Sequence, residues 1–158
     1  MIPRPECHAE AIVDQPIDIV WSIITDSSKF HALQLPGLYS PYDRKRARSG
    51  TQFEWKSIFE DQGKTSPQYI VDWKPPSHFS FGSSPNKWDF EWHLSPRDGK
   101  TIVHFARRFG SPWLNRIIDR LLGGNDLERL TEKTVASLKD ACSRLASGED
   151  DRLSPSPW

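Results

Sequence analysis

The sequence predicts one α+β domain in which a curved antiparallel sheet of about seven strands wraps a long C-terminal helix. Three features indicate this fold. Apolar residues alternate with period two from about residue 42 to residue 109, short turn sequences separate these runs, and one long amphipathic stretch follows them. Consecutive strands with short turns form an antiparallel meander, and its apolar face needs the amphipathic helix as a cover.

The N-terminal part predicts a strand followed by two short helices. Residues 7–13 alternate weakly, and the next three residues, Asp14-Gln15-Pro16, are typical of a helix start. The first helix is predicted over Ile17–Thr25 and the second over Ser28–Leu33. The apolar face of the first helix comprises Ile17, Val20, Trp21 and Ile24.

Six further strands are predicted between the second helix and the C-terminal helix. They are Tyr42–Arg48, Thr51–Phe59, Thr65–Trp73, His78–Gly82, Lys87–Ser95 and Lys100–Phe109. Turn sequences separate several of them, and Asp98-Gly99 is typical of a tight hairpin. The alternation is clearest in Lys87–Ser95, which places Trp88, Phe90 and Trp92 on one face and Asp89, Glu91 and His93 on the other.

The C-terminal region carries two apolar stripes that point in different directions. The first comprises Leu114, Ile117, Ile118 and Leu121, and the second comprises Leu127, Leu130, Thr134, Leu138, Ala141 and Leu145. The stripes lie roughly 150° apart on a helical wheel, and Gly123-Gly124 separates them. We therefore predict a break at Gly123–Asp126, with Ser111–Leu122 as a lid helix and Asp126–Ala146 as the gripped helix. The alternative is a continuous helix whose first stripe is buried in a homodimer.

Composition excludes several classes of protein. Lys+Arg and Asp+Glu both total 21, so a nucleic-acid partner is not expected. The cationic run Arg44–Arg48 is interpreted as a solvated strand edge. Two distant cysteines, no apolar leader and no run of about 18 apolar residues predict a cytoplasmic protein without an integral membrane segment. The domain is predicted over residues 1–147, with a disordered tail over 148–158.

Several segments in this order are similar to a known superfamily. They are Ala11–Trp21, Thr25-Asp26, Ser49–Trp55, Ile70–Phe81, Trp92–Thr101 and Leu127–Lys139. Over about residues 7–146 the chain resembles the START-like (SRPBCC, helix-grip) superfamily, and within it the polyketide cyclase/dehydrase and lipid-transport group. The resemblance implies a tunnel between sheet and helix. Members use this tunnel for lipids, aromatic polyketides, hormones or quinones, some as carriers or sensors and others as enzymes.

Aromatic residues are the expected lining of such a tunnel. The chain contains seven Trp, eight Phe and three Tyr, which bury large areas and often line ligand pockets. The candidate ligand-binding residues are Phe53, Trp55, Tyr69, Trp88, Phe90, Trp92, Val103, Phe105, Trp113 and Ile117. The alternative is an aromatic-rich core without a pocket.

Arg107 and His31 are the candidate catalytic residues. Arg107 follows the alternation of the last strand inward, where an arginine among aromatics requires an anionic partner such as a carboxylate or enolate on the ligand. The alternatives are a structural pair with Asp72 or a side chain that reaches the cavity mouth. His31 lies on the segment that tends to close the mouth in this fold, where it could act as an acid or base, or could simply be solvated.

Motifs for cofactors and metals are not apparent. The five histidines show neither HxxxH nor HExxH spacing, and Gly123-Gly124 does not form a phosphate loop. Asp89, Glu91 and His93 have the residue types of a catalytic cluster, but the alternation predicts that they face solvent. No metal and no cofactor are therefore expected.

Two functions remain from these observations. The first is a carrier or sensor that binds a hydrophobic small molecule. The second is a polyketide cyclase/dehydrase-type enzyme that uses the same cavity, which would need two titratable groups facing each other inside it. A third hypothesis makes the segment Gly110–Leu114 a docking edge for a larger complex.

Overall fold

The computed structural model describes residues 6–35, 38–56, 65–108 and 126–146. Within these ranges the chain forms seven strands, two α-helices and one 3-10 helix. The elements in order are β1 (Glu6–Val13), α1 (Ile17–Ile24), the 3-10 helix (Ser27–Lys29), β2 (Leu38–Tyr39), β3 (Gln52–Lys56), β4 (Thr65–Lys74), β5 (His78–Gly82), β6 (Phe90–Arg97), β7 (Lys100–Arg108) and α2 (Asp126–Ala146). The predicted α+β fold class is confirmed.

The strands form one curled antiparallel sheet in the order β1-β7-β6-β5-β4-β3-β2. Strands β2 to β7 follow the chain, and β1 joins the far edge by pairing with β7. The hairpin between β6 and β7 is confirmed, because Asp98 and Gly99 have φ angles of 51° and 77°. Two central residues with positive φ are typical of the type I′ turn, whose twist matches that of the flanking strands.

Helix α2 packs against β1, β7 and α1. Its buried side chains are Thr131, Thr134, Val135, Leu138, Ala141 and Cys142. This face agrees with the second predicted stripe, and the helix spans the range predicted for the gripped helix. No helix among the described residues has the length and apolar character that crossing a membrane requires.

Four sequence predictions concern residues outside the described ranges. They are the lid helix Ser111–Leu122, the break at Gly123–Asp126, of which only Asp126 is described, the docking edge Gly110–Leu114 and the tail over 148–158. They stay predictions.

The prediction of a strand over Tyr42–Arg48 is wrong. This segment forms a turn, in which the backbone N–H of Arg46 donates to the Asp43 carbonyl and that of Lys45 donates to the Asp43 side chain. Aspartate side chains that accept from the backbone two residues on favour a turn over a strand ladder. The strand that pairs with β3 is instead Leu38–Tyr39.

The second predicted helix is shorter than Ser28–Leu33. The side chain of Asp26 caps the 3-10 helix by accepting from the Ser28 N–H. The segment then closes with two bonds, from Leu35 N–H to the Phe30 carbonyl and from Gln34 N–H to the His31 carbonyl, and Gln34 has a φ of 62°. These features define a Schellman motif, which ends the helical turn and directs the Gln34 carbonyl inward.

A bulge in β4 exchanges the two faces of that strand. The register with β5 shifts between Ile70 and Asp72. Ile70 before the bulge and Trp73 after it both pack against the core, while Asp72 turns to the outer face. One extra residue has this effect because side chains alternate with period two.

Candidate functional site

The inner faces of β6 and β7 follow the predicted alternation from Phe90 on, whereas Trp88 precedes β6 and lies on the outer face against Arg108. Phe90, Trp92 and Leu94 are buried on β6, while Glu91 is partly exposed and His93 is exposed. On β7, Val103 and Phe105 are fully buried. The register pairs Trp92 with Phe105 and Phe90 with Arg107, so these side chains form a continuous inner surface.

Much of the aromatic interior is filled by ring-to-ring packing. Phe30 stacks on Phe81 with 5.0 Å between ring centres, and Tyr39 and Phe53 both pack edge-on against this pair. Trp92 packs on Phe105 at 4.3 Å. Phe53 is therefore part of a packed aromatic cluster, as the alternative of an aromatic-rich core predicts for it.

Arg107 lies inside the fold, as the alternation of the last strand predicts. The residue is only 4% exposed, and its guanidinium carbon lies 5.1 Å from the centre of the Phe90 ring. One terminal nitrogen donates to the Gln34 carbonyl at 3.5 Å, which is a long hydrogen bond. Burial lowers the pKa of Arg107 to about 10, so the side chain is still charged at neutral pH.

The charge of Arg107 is not balanced by an ion pair within the described ranges. The proposed structural pair with Asp72 is not formed, since Asp72 accepts from Ser80 Oγ on the outer face. Tyr39 and Cys7 are the titratable groups that act on the Arg107 charge, and burial raises the pKa of Tyr39 well above its usual range. Tyr39 therefore stays neutral beside Arg107.

Trp92 carries a second buried donor. Its side chain is fully buried, and its indole Nε1–H has no hydrogen-bond partner among the described residues. The register pairs Phe90 with Arg107 and Trp92 with Phe105, so Trp92 and Arg107 are diagonal neighbours on the inner face. Diagonal neighbours across two strands have Cα atoms about 7–8 Å apart, which is within reach of one small ligand.

Of the remaining candidate ligand-binding residues, those that the structure describes do not belong to the fully buried inner surface around Arg107 and Trp92. Trp55 packs against the core as a partly buried residue, and Tyr69 is partly exposed between the buried Gln68 and Ile70. Trp88 lies against the guanidinium of Arg108, whose carbon is 3.8 Å from the ring centre. Trp113 and Ile117 lie outside the described residues.

His31 is exposed on the turn after the 3-10 helix. Its backbone carbonyl takes part in the Schellman motif, and the structure gives its side chain no inward contact with the described residues. Solvation is therefore the simpler interpretation of this residue, and a role as an acid or base stays a prediction.

Three clefts lined by described residues open to the surface. One of about 860 Å³ lies between α1 and the turn that replaces the predicted strand. Its lining comprises Trp21, Ser22, Thr25, Tyr42, Asp43, Arg44, Lys45, Trp73 and Pro75. This cleft is separate from the buried donors Arg107 and Trp92, so the single elongated pocket predicted around the inner face stays a prediction.

Sequence reasoning missed a group of polar side chains on the outer face of β5 and β6. His78, Glu91 and His93 are brought together there, with their ligand atoms all within 4.8 Å of one another. The alternation of Lys87–Ser95 placed Glu91 and His93 outward, but His78 belongs to another strand. Only the register of β5 with β6, which pairs His78 with His93, shows the group.

Comparisons with known proteins give a fold but no sequence relative. No family model and no curated protein matches this chain. Among solved structures, protein TTHA0849 from Thermus thermophilus has 17% identity and a TM-score of 0.60, covering 90% of this chain and 99% of that one. The Zhui aromatase/cyclase from Streptomyces sp. R1128 has 9% identity and a TM-score of 0.58, covering 91% and 96%.

A third structure has a name that refers to the expected group. The Polyketide_cyc-like protein Cgl2372 from Corynebacterium glutamicum has 15% identity and a TM-score of 0.53, covering 94% of this chain and 95% of that chain. At such identities the likeness establishes the fold. The chain has a helix-grip fold, with a curled antiparallel sheet and a long C-terminal helix, as the resemblance implied.

Proposed function

We propose that this helix-grip protein binds a hydrophobic small molecule in its interior, as a carrier or sensor. The ligand class is an apolar body, such as a lipid or an aromatic metabolite, that bears at least one acceptor oxygen. A carboxylate or an acidic enol meets this description best.

One observation carries the proposal: two buried donors on the same inner face lack adequate acceptors in the described part of the chain. The Trp92 indole N–H has no partner there, and Arg107 has only the long bond to the Gln34 carbonyl. An unpaired buried donor costs about 1–3 kcal/mol, and a buried charge without a counter-ion costs more. An acceptor oxygen on a ligand would offset both costs at once.

The surroundings of these donors favour an apolar ligand body. Phe90, Trp92 and Phe105 form the wall next to Arg107, and none of them is more than 9% exposed. Apolar walls with a few orienting polar groups are typical of small-molecule sites. An arginine in such a wall provides orientation and selectivity for an anionic or strongly polarised oxygen.

The described interior favours binding over acid–base catalysis. A general acid or base works best with a pKa near the working pH. Burial moves the pKa of Tyr39 further above neutrality, and Arg107 remains protonated at neutral pH. Neither group is suited to exchange protons at pH 7.

A cyclase/dehydrase-type enzyme is the second candidate, and the similarity in fold to an aromatase/cyclase favours it. In that case Arg107 and the Trp92 N–H would stabilise the oxyanion of an enolate, as fixed donors do in other enzymes. A proton acceptor would have to come from outside the described residues or from the substrate.

Cysteine content and net charge support a cytoplasmic location and a small-molecule partner. A chain with only two cysteines, Cys7 and Cys142, lacks the disulfide framework of small secreted domains, which fits the reducing cytoplasm. A formal net charge of zero fits a small molecule better than a nucleic acid as the partner. A homodimer stays a prediction of the sequence.

Native mass spectrometry of protein purified from its own host tests this function. We expect a complex heavier than the polypeptide, which releases an apolar molecule with a carboxyl, carbonyl or phenolic oxygen on denaturation. The matched control is the Arg107→Met variant purified in parallel, which should retain much less of that molecule. Equal retention by both proteins would contradict the assigned role of Arg107.

A further inference from the structure

The outer face of the sheet carries four of the five histidines, in a row across four adjacent strands. They are His78 on β5, His93 on β6, His104 on β7 and His8 on β1. The register pairs His78 with His93 and His93 with His104, and His8 Nδ1 lies 2.9 Å from His104 Nε2. The proposed ligand site uses the opposite face, so this row has no role in it.

One end of the row has the geometry of a metal site. The Nε2 atom of His78 lies 3.1 Å from Glu91 Oε2, and that of His93 lies 3.2 Å from Glu91 Oε1. Zinc binds imidazole nitrogen and carboxylate oxygen at about 2.0–2.2 Å, so neighbouring donors in a tetrahedral site are about 3.3 Å apart. The spacing of both histidines to Glu91 already meets this requirement.

The two imidazole rings are oriented to act together. They stack with 4.1 Å between ring centres and 14° between planes, and both direct Nε2 at the same carboxylate. Without an ion, each Nε2–H can donate to Glu91. A metal ion would replace those two protons while the carboxylate and both nitrogens keep their places.

Asp72 lies next to this group, on the side of His78. Its Oδ2 lies 4.0 Å from His78 Nε2, and this oxygen accepts a hydrogen bond of 3.2 Å from the fully buried Ser80 Oγ. Such a second contact fixes a carboxylate and is typical of groups that support metal ligands. The β4 bulge is the reason that Asp72 reaches this face.

Accessibility also fits an exchangeable surface ion. The side chains of His78 and Glu91 are 16% and 17% exposed, whereas that of His93 is 49% exposed. Two ligands are thus held by the sheet, and the third borders solvent and leaves a path for entry.

We propose that His78, Glu91 and His93 bind a divalent transition-metal ion of the zinc type, with the Asp72 carboxylate beside His78. Two imidazoles and carboxylate oxygens suit zinc, copper or nickel better than magnesium or calcium, which prefer oxygen alone. Because the three ligands come from β5 and β6, the ion joins two neighbouring strands and stabilises the folded state.

Zinc titration of the full chain tests the site, after chelator treatment and dialysis. A chromophoric chelator as competitor gives the affinity and stoichiometry, and thermal unfolding gives the shift in Tm. We expect one ion per chain and a Tm raised by about 5–10 °C at a hundredfold excess of zinc over Kd. Absence of binding at millimolar zinc would overturn the proposal.

Variants locate the ion. His93→Gln and Glu91→Gln should each weaken zinc binding at least tenfold, while His31→Gln, outside the row, should leave it unchanged. His8→Gln separates the proposed site from the His8–His104 pair at the other end of the row. Loss of binding in His8→Gln but not in His93→Gln would overturn the assignment.

A spectroscopic measurement on the wild-type chain does not depend on how the variants fold. Electron paramagnetic resonance of the Cu²⁺-loaded protein reports the number of nitrogen ligands. Two imidazole nitrogens are expected, and fewer than two would contradict the site.

Discussion

Phe90 and Arg107 face each other across β6 and β7, with the Arg107 guanidinium carbon 5.1 Å from the centre of the Phe90 ring. The next residue, Arg108, lies on the other face and has an ion-pair partner. It donates to Glu6 at 2.8 Å and lies over the Trp88 ring. Among the described residues, adjacent arginines on one strand therefore provide a buried charge without a counter-ion and a surface charge with one. This pair offers a matched comparison for several predictions.

Removing the charge of Arg107 should stabilise the ligand-free protein. Burial without an ion pair penalises the charged form, and exchange of a buried charge for an apolar side chain often stabilises a protein. We expect Arg107→Met to raise the free energy of unfolding by about 1–3 kcal/mol in urea titrations. Arg108→Met should change it by less than about 1 kcal/mol. A clear loss of stability in Arg107→Met would assign this side chain a structural role.

The indole N–H of Trp92 should contribute to affinity rather than to folding. Trp92→Phe removes the unpaired donor and keeps an aromatic ring at the position. We expect about a tenfold loss of affinity for an acceptor-bearing ligand, the equivalent of one hydrogen bond, in fluorescence or calorimetric titrations. Trp88→Phe on the outer face is the control and should bind normally. Identical affinities for both variants would exclude the Trp92 donor from the site.

Gly82 at the end of β5 should not tolerate a side chain. A Cβ there would lie 2.4 Å from the Lys87 carbonyl oxygen and 2.8 Å from the Asp89 backbone nitrogen. Both neighbours are backbone atoms, so the segment must shift, and Gly82→Ala should cost about 1–3 kcal/mol. Chemical denaturation compared with Ser83→Ala, whose side chain is exposed, checks this. Equal stabilities would show that the segment after β5 moves freely.

Stability should fall at alkaline pH, partly because of Cys142. Burial raises the pKa of this thiol to about 12, whereas its ordinary value is 9.0. The folded state therefore holds the proton between pH 9 and 12 while the unfolded state releases it, so stability present below pH 9 is lost as pH rises through that window. From about pH 8 to about pH 10.5 the wild type should lose about 1–2 kcal/mol more than Cys142→Ala. Parallel pH profiles would contradict this.

The sequence was sufficient for most of the fold because hydrophobic periodicity determines which residues are buried. The alternation around Trp92 and the stripe of α2 are examples, and the Asp98-Gly99 turn follows from local backbone preferences. The strand prediction for Tyr42–Arg48 was wrong for a physical reason. The Asp43 side chain accepts a hydrogen bond from the backbone N–H of Lys45, which favours a turn over a strand.

The sites were harder to predict because they depend on contacts between distant strands. Period two places Arg107 inward, but only the structure shows that Asp72 is turned away from it by a bulge. The cluster of His78, Glu91 and His93 depends on register, which turn lengths and packing set together. The spacing of these three residues in the sequence does not indicate that they form a cluster.

Binding of an apolar fluorescent carboxylate, measured by quenching of tryptophan emission, tests the central claim most directly. An uncharged amide of the same fluorophore is the matched probe, and Arg108→Met is the matched variant. We predict that the wild type and Arg108→Met bind the carboxylate at least tenfold more tightly than the amide, and that Arg107→Met loses this preference while it still binds the amide. The same preference in Arg107→Met, or no binding of either probe by the wild type, would contradict the proposed interior site.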